Sequence, residues 1–401
     1  MEKGYILMKK TEIIAKLAQA QAQKLGEMND RIFCFAEPGF KEVNSAGVLE
    51  DYLEEAGFEV KRGFAGLHTA FHARCELGEG ISGQKLHIGL LCEYDALEDI
   101  GHGCAHQMQG PVIAGAAVIL KEVLKEHPVV LSVIGTPAEE ILSGGKTVMD
   151  EHGAFDDLDF SVMVHGGYHT QYDAPSLALR ELDVEFHGIS SHAGTAPEEG
   201  RNALEGILMM ENGIAFLRGH VKSDVRMNTI IKNGGEVVNS VTAYAKAKVE
   251  LRSKSVAYLD ELYGRVLKII EGAALATETE YKVTDIVRLP NTVVCESLAE
   301  LMVENAEQFG CTNIKKEPMH PGSTDYGVVG AKIPCACLRL PVVPEDYPGH
   351  TKEWVEYGTS EIVHSSILYG AMAVAGTCYD IAADPAIFKK IRTDYQNMEK
   401  Q

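Results

Sequence analysis

Long apolar runs are missing from this 401-residue chain. Its longest stretches, such as residues 113–120, fall well short of the roughly 20 residues that a membrane span requires. Residues 1–10 are punctuated by charge and lack the form of a secretory signal, so a soluble protein is expected. Positive charge is scarce as well: 37 Lys and Arg against 58 Asp and Glu leave a formal net charge of −21. That deficit argues against nucleic-acid and membrane partners, which both need a basic face. Regular disulfide spacing is also lacking. The nine cysteines are an odd set, and Cys34, Cys335, Cys337 and Cys378 sit inside apolar runs, which reads as reduced thiols in a cytoplasmic protein. There is no G-x-S-x-G elbow, H-E-x-x-H helix or Walker loop, and Gly101-His102-Gly103 lacks the further glycine of a dinucleotide fingerprint. A serine-nucleophile hydrolase is therefore disfavoured.

What is present is an ordinary globular composition, long enough for two domains. The periodicity predicts helices over 11–28 and 44–56, strands over 58–62 and 69–73, and a central strand over 86–91. Helix 111–125, strand 129–135, helix 146–153 and strand 160–164 follow. Strands alternating with helices imply an α/β fold with a mainly parallel, doubly wound sheet. From residue 176 the pattern becomes strand 177–186, helix 202–217, strands 227–231 and 237–251, helix 256–276 and strand 281–289. This β-α-β-β-α-β order is that of a split, ferredoxin-like unit. It implies a domain at 176–290 inserted into one formed by 1–175 and 291–401. The α/β pattern then resumes with helix 297–309, loop 321–327, strand 333–340 and helix 359–382.

Residues able to bind metal fall where the strands end. After the central strand come Glu93, Asp95, Asp99, His102, Cys104 and His106; Glu139 and Glu140 follow the next strand, and His165 ends the third. Ligands bind at the carboxyl ends of strands in open α/β sheets, so three segments deliver ligating side chains to one edge. Cys104 and His106, two residues apart in a loop, can turn toward one cation. Taken singly, each feature has a plainer account. Cys104 and His106 can be a buried thiol and a hydrogen-bonded imidazole. The two glutamates can be acids favoured at a helix N-terminus. His165 can be a structural strand-end residue, and His350, in a Pro- and Gly-rich loop, a surface histidine. Jointly, one thiol, several imidazoles and two carboxylates suit a pair of divalent cations, with Asp95 orienting a ligand histidine or making a weaker metal contact. Such cations lower the pKa of bound water to about 7 and polarise a carbonyl, so hydrolysis is expected.

The stretches EYDAL at 93–97, GHGCAHQ at 101–107, TPAEE at 136–140, VHGG at 164–167, SSHAGTAPEEGRNAL at 190–204, GGEVVNSV at 234–241, STDYG at 323–327 and PGHT at 348–351 run in one order along most of the chain. In this the chain resembles the dinuclear-metal aminoacylase and carboxypeptidase family, peptidase family M20. Within it the chain is similar to the branch of auxin-conjugate hydrolases, aminobenzoyl-glutamate hydrolases and aminoacylase-one-like dipeptidases. The resemblance implies that Cys104, His106, Glu140, His165 and His350 bind metal, and that Glu139 is the general base. It implies that the inserted domain is a lid and dimerisation domain. There His192 would stabilise the oxyanion across a dimer interface, and Asn239 and Arg252 would receive the substrate carboxylate. The implied cofactors are two divalent ions, with zinc favoured by the thiolate and manganese or cobalt compatible. The implied activity is hydrolysis of an amide bond in small N-acyl amino acids or dipeptides, by a homodimer or higher homo-oligomer. The alternative is a regulatory relative that binds metal or ligand with little turnover. The chain departs from the family's usual G-H-A-C-G-H: Gly103 and Ala105 exchange the two small residues, and Gln107 stands where Asn or Asp is usual.

Overall fold

A computed structural model of the chain describes residues 2–79, 84–141, 144–319 and 322–398. It forms two compact units, one of Met1–Pro175 with Val293–Gln401 and the other of Ser176–Thr292. The first unit opens with helices α1 (Glu2–Gln19), α2 (Ala22–Phe35) and α3 (Val43–Glu55). The single helix predicted over 11–28 is thus two. The Gln21 side chain donates to the Leu17 carbonyl at 3.0 Å, and the Gln21 N–H turns to Ala18 instead, which tightens and ends the first helix.

Next come β1 (Glu59–Phe64), β2 (Leu67–Glu76), β3 (Leu86–Cys92), α4 (Gln109–Val123), β4 (Val129–Gly135), α5 (Gly145–Glu151), β5 (Phe160–Gly167) and β6 (Gln171–Tyr172). The second unit holds β7 (Ala178–His187), α6 (Ala203–Leu217), β8 (Arg226–Asn233), β9 (Tyr244–Ser253), α7 (Val256–Thr277) and β10 (Glu280–Leu289). The first unit resumes with α8 (Glu296–Gln308), α9 (Gly327–Gly330), β11 (Cys335–Pro341), α10 (Lys352–Glu356), α11 (Glu361–Ala383) and α12 (Pro385–Met398). Of the loop expected at 321–327, Pro321 lies outside the described residues.

The first unit's sheet has the order β1-β2-β4-β3-β5-β11-β6. It is mixed rather than mainly parallel: β4, β3, β5 and β11 run parallel, whereas the β1–β2, β2–β4 and β11–β6 pairings are antiparallel. The reason is local. Ala65 and Gly66, both with positive φ, make the two-residue turn between β1 and β2, and so short a connection permits only an antiparallel pair. The parallel centre is buried on both faces, with every residue of β4 and β11 enclosed. Helices α4 and α11 pack together in the larger core, while Met149, Phe155, Tyr326 and Val329 cover the smaller face. Among the described residues α11 is the one helix long and apolar enough to cross a membrane, yet 67% of its most apolar window is buried inside the protein. The chain passes from β3 to β4 on one side and then to β5 on the other, so a topological switch point lies at the carboxyl end of β3.

The second unit is a four-stranded antiparallel sheet, β10-β7-β9-β8, with its own core. Its helices contact each other and share β9. Asn202 caps α6 by accepting the Leu204 N–H at 3.0 Å. The strand predicted from 237 begins at Tyr244, because the Thr242 and Ala243 carbonyls are taken by Ala203 and Gly188 and the apolar Val237 and Val238 are exposed.

One cross-strand contact tests the sheet. Gly135 pairs with the fully buried Phe71, and a Cβ at Gly135 would fall 2.1 Å from the Phe71 ring. Gly135→Ala should therefore lower stability by about 1–3 kcal/mol, read as a shift of the urea midpoint with unchanged slope.

Candidate metal centre

After β3, Glu93, Tyr94 and Asp95 continue into the interior, and the Tyr94 hydroxyl donates to the Thr69 carbonyl at 2.6 Å. The chain then turns at Asp99 and Gly101, and Ala105 leads through a short 3-10 turn into α4. Ala105 has a φ of +57°, so the exchange of small residues puts a methyl-bearing residue where the left-handed backbone favours glycine. The loop carrying His350 lies against this segment, with the His350 N–H donating to the Gly103 carbonyl at 3.1 Å. His165 comes from the end of β5, and Glu139 and Glu140 from the turn after β4.

These segments bring donor atoms together in overlapping groups: Cys104, His106 and His165; Cys104, Glu140 and His350; and His106, Glu139 and Glu140, each within 4.8 Å. Asp95 stands behind them. Its Oδ1 accepts from His106 Nδ1 at 3.0 Å and its Oδ2 from the Glu140 N–H at 2.9 Å. That leaves His106 Nε2 facing inward, 3.3 Å from His165 Nε2. The Gly166 carbonyl can only accept, and it lies 2.8 Å from His165 Nδ1, which assigns the His165 proton to that nitrogen. Two Nε2 atoms then point their lone pairs at each other, an arrangement that calls for a positive charge between them. Burial alone would lower the pKa of His106, but Glu93, Asp95 and Glu140 raise it to about 10, whereas burial and Arg339 drive that of His165 well down. Burial and the surrounding acids push the Cys104 thiol far above its ordinary range, so a cation is what would make it a thiolate. Glu140 Oε1 is buried with no protein partner among the described residues. An orphaned carboxylate oxygen, a thiol and inward-facing imidazoles form a donor set that fits divalent cations.

Glu139 is partly exposed, yet desolvation and the Glu93 and Asp325 carboxylates raise its pKa to about 8 against His106 and Lys146. The resemblance does not point to Lys146. It is fully buried, with Nζ 2.5 Å from Glu93 Oε1 and 2.7 Å from Asp325 Oδ1, and those two acids keep it protonated against the effect of burial. Gln109 donates to the other Glu93 oxygen at 2.7 Å. Arg339, level with His165 on the neighbouring strand, pairs with Asp173 at 2.5 Å and donates to the Gly166 carbonyl at 2.9 Å. The sequence signal for Lys146 was a cation in the first turn of a helix, against the macrodipole. The others carry no comparable mark.

The remaining expected residues belong to the second unit. His192 is exposed, accepts the Gly194 N–H at Nδ1 and forms a bridge with Ser240. Asn239 is exposed beside it, and its carbonyl accepts the Ala193 N–H at 3.0 Å. Arg252 is held by Glu250, at 2.9 and 2.8 Å.

An α/β scaffold with mixed thiol, imidazole and carboxylate donors at its switch point defines the class of metal-dependent hydrolases. Residues 89–374 match the model of peptidase family M20/M25/M40, and the chain belongs to that family. It is 31% identical over 392 residues to the Xaa-Arg dipeptidase of Mus musculus, covering 94% of this chain and 89% of that protein. It is 27% identical to one of the two p-aminobenzoyl-glutamate hydrolase polypeptides of Escherichia coli, covering 95% of this chain and 93% of that one. A solved dinuclear metal-binding peptidase from Bacillus subtilis superposes with a TM-score of 0.71 at 16% identity, over 91% of this chain and 99% of that one, and so shares the fold. The protein is a hydrolase of amide bonds.

Asp95 offers a test that does not depend on substrate. An amide at this position cannot accept from both His106 and the Glu140 N–H. Asp95→Asn should weaken metal binding by about 10- to 100-fold with unchanged circular dichroism, measured by competition against a chelating indicator.

Proposed function

We propose that this chain hydrolyses the amide bond of dipeptides and small N-acyl amino acids at a centre of two divalent cations held by Cys104, His106, Glu140, His165 and His350. The observation that carries this reading is the position of Cys104, common to a group with His106 and His165 and to another with Glu140 and His350. A thiolate shared by two sets of ligands is suited to bridge two cations, and it favours zinc over manganese or cobalt. When bound, such cations supply Lewis-acid chemistry, polarising the substrate carbonyl and making water a nucleophile at neutral pH.

The chain's own residues then divide the work. Glu139 takes a proton from the attacking water and delivers it to the departing amine nitrogen, so the acyl carbon gains the hydroxyl and the amine leaves protonated. His192 is assigned to the developing oxyanion, and Asn239 and Arg252 to the substrate carboxylate. For Arg252 that role means competing with Glu250. The names of the two relatives support a substrate with a free amino-acid carboxylate, and Xaa-Arg dipeptides are the first to assay. In this reading the second unit is a lid and dimerisation domain of ferredoxin-like form. Its edge strand β8, which carries the exposed Ile230 and Ile231, supports a homodimer. The nine free cysteines support a cytoplasmic location. No feature favours a regulatory relative without turnover.

Glu139→Gln should keep metal content and circular dichroism while lowering kcat by a factor of about 100 or more. Wild-type turnover in that variant would remove Glu139 from the reaction. Metal-loaded wild type should cleave members of a panel of dipeptides and N-acyl amino acids, lose activity to a chelator and regain it with zinc. Silence across the panel would overturn the proposed function.

A further inference from the structure

Glu42 is wholly buried and stands at the N-terminus of α3, yet its side chain makes no cap there. Glu37 does that work, accepting the Asn44 N–H at 3.0 Å and the Ser45 N–H at 2.8 Å. Glu42 instead reaches 96 residues along the chain, where its Oε1 accepts the Ala138 N–H at 2.8 Å. Its Oε2 is buried without a hydrogen-bond partner, and among the described residues it has no ion pair. Burial raises this carboxyl to about 7, outweighing the hydrogen bonds it accepts. A buried carboxyl so poorly compensated is a liability for stability alone.

The group it holds explains its place. Ala138 is fully buried and has a φ of +60°, a left-handed conformation that costs a non-glycine residue energy. Glu139 and Glu140 follow directly, and the Glu140 N–H is fixed from the far side by Asp95 at 2.9 Å. The turn is therefore gripped at two backbone N–H groups by two buried carboxyls, one before the glutamate pair and one within it.

We propose that Glu42 is a positioning residue of the reaction, fixing the turn at Ala138 so that Glu139 faces the substrate and Glu140 faces the other metal-ligating side chains. This rests on the function proposed above. Gln at this position keeps an acceptor for the Ala138 N–H, whereas Leu of similar size removes it.

The test compares full-length, zinc-loaded Glu42→Gln and Glu42→Leu with wild type, for kcat and KM per folded molecule and for the rate at which a chelator strips the metal. Glu42→Gln should stay within about threefold of wild type in both, while Glu42→Leu should lose kcat on the order of 10- to 100-fold with KM little changed and release metal about tenfold faster. Wild-type kcat and metal release in folded Glu42→Leu, or equal losses in both variants, would overturn the proposal. A purely structural role would lower only the melting temperature. If the Leu variant does not fold, Glu42→Asp makes the same comparison, because it withdraws the carboxyl by one methylene. Should the wild type prove silent on every substrate, the proposed function fails, but the metal-release comparison still decides whether Glu42 holds Glu140 in place.

Discussion

Carboxylates crowded at one edge of a sheet repel each other unless positive charge is set among them. At the carboxyl ends of β3 and β4 and beside α9, the chain gathers Glu93, Asp95, Glu139, Glu140 and Asp325, most of them out of water. The fold supplies part of the compensation from within: the Lys146 ammonium between Glu93 and Asp325, and the Arg339 guanidinium beside His165. Each of these cations is in turn tied to acids of its own, Arg339 to Asp173, so neither is available to Glu140 or Cys104. The cluster thus has an internally neutralised part, and a part whose thiol and orphaned carboxylate oxygen suit an added cation.

The same region concentrates backbone strain. Among the described residues nine non-glycine positions have positive φ, and Asp99, Ala105, Ala138 and His350 lie in the turns that carry the site. Such conformations persist where the surroundings over-determine them. Here the restraints can be named: Glu42 on the Ala138 N–H, Gly103 on the His350 N–H, and Asp95 tying His106 to Glu140. Because Asp95 joins a histidine from one strand end to the backbone of another, moving either segment moves both donors.

What could be read from the sequence and what could not divide along physical lines. Cys104, His106, Glu139, Glu140 and His165 all follow apolar strands, and hydrophobic periodicity locates strand ends well, so their convergence was visible. Strand direction was not, since the apolar pattern of β2 is the same in either sense and only the Ala65–Gly66 turn fixes it. Lys146 escaped notice because its partners lie 53 and 179 residues away. Glu42 is hidden more deeply, since its partner is a backbone N–H with no side-chain identity to recognise. The break between α1 and α2 depends on one Gln21 side chain competing for a carbonyl, which helix periodicity does not register.

The altered G-H-G-C-A-H segment follows from the packing of its two neighbours. A Cβ at Gly103 would lie 3.2 Å from the His350 Cα, so glycine there lets the His350 loop approach closely enough for its N–H to reach the Gly103 carbonyl. Ala105 faces the other way: a Cβ at Gly166 would fall 2.8 Å from its methyl, so the glycine after His165 leaves the room that Ala105 fills. Holding Ala105 in the left-handed region costs roughly 1–2 kcal/mol relative to glycine. In exchange, the methyl packs against β5 beside His165, and the glycine moves to the side where His350 must come in. Cys104 lies between the two exchanged residues with its neighbours on both sides still able to pack. The exchange therefore bears on how tightly the His350 and His165 segments close on Cys104, and leaves the identity of the donors unchanged.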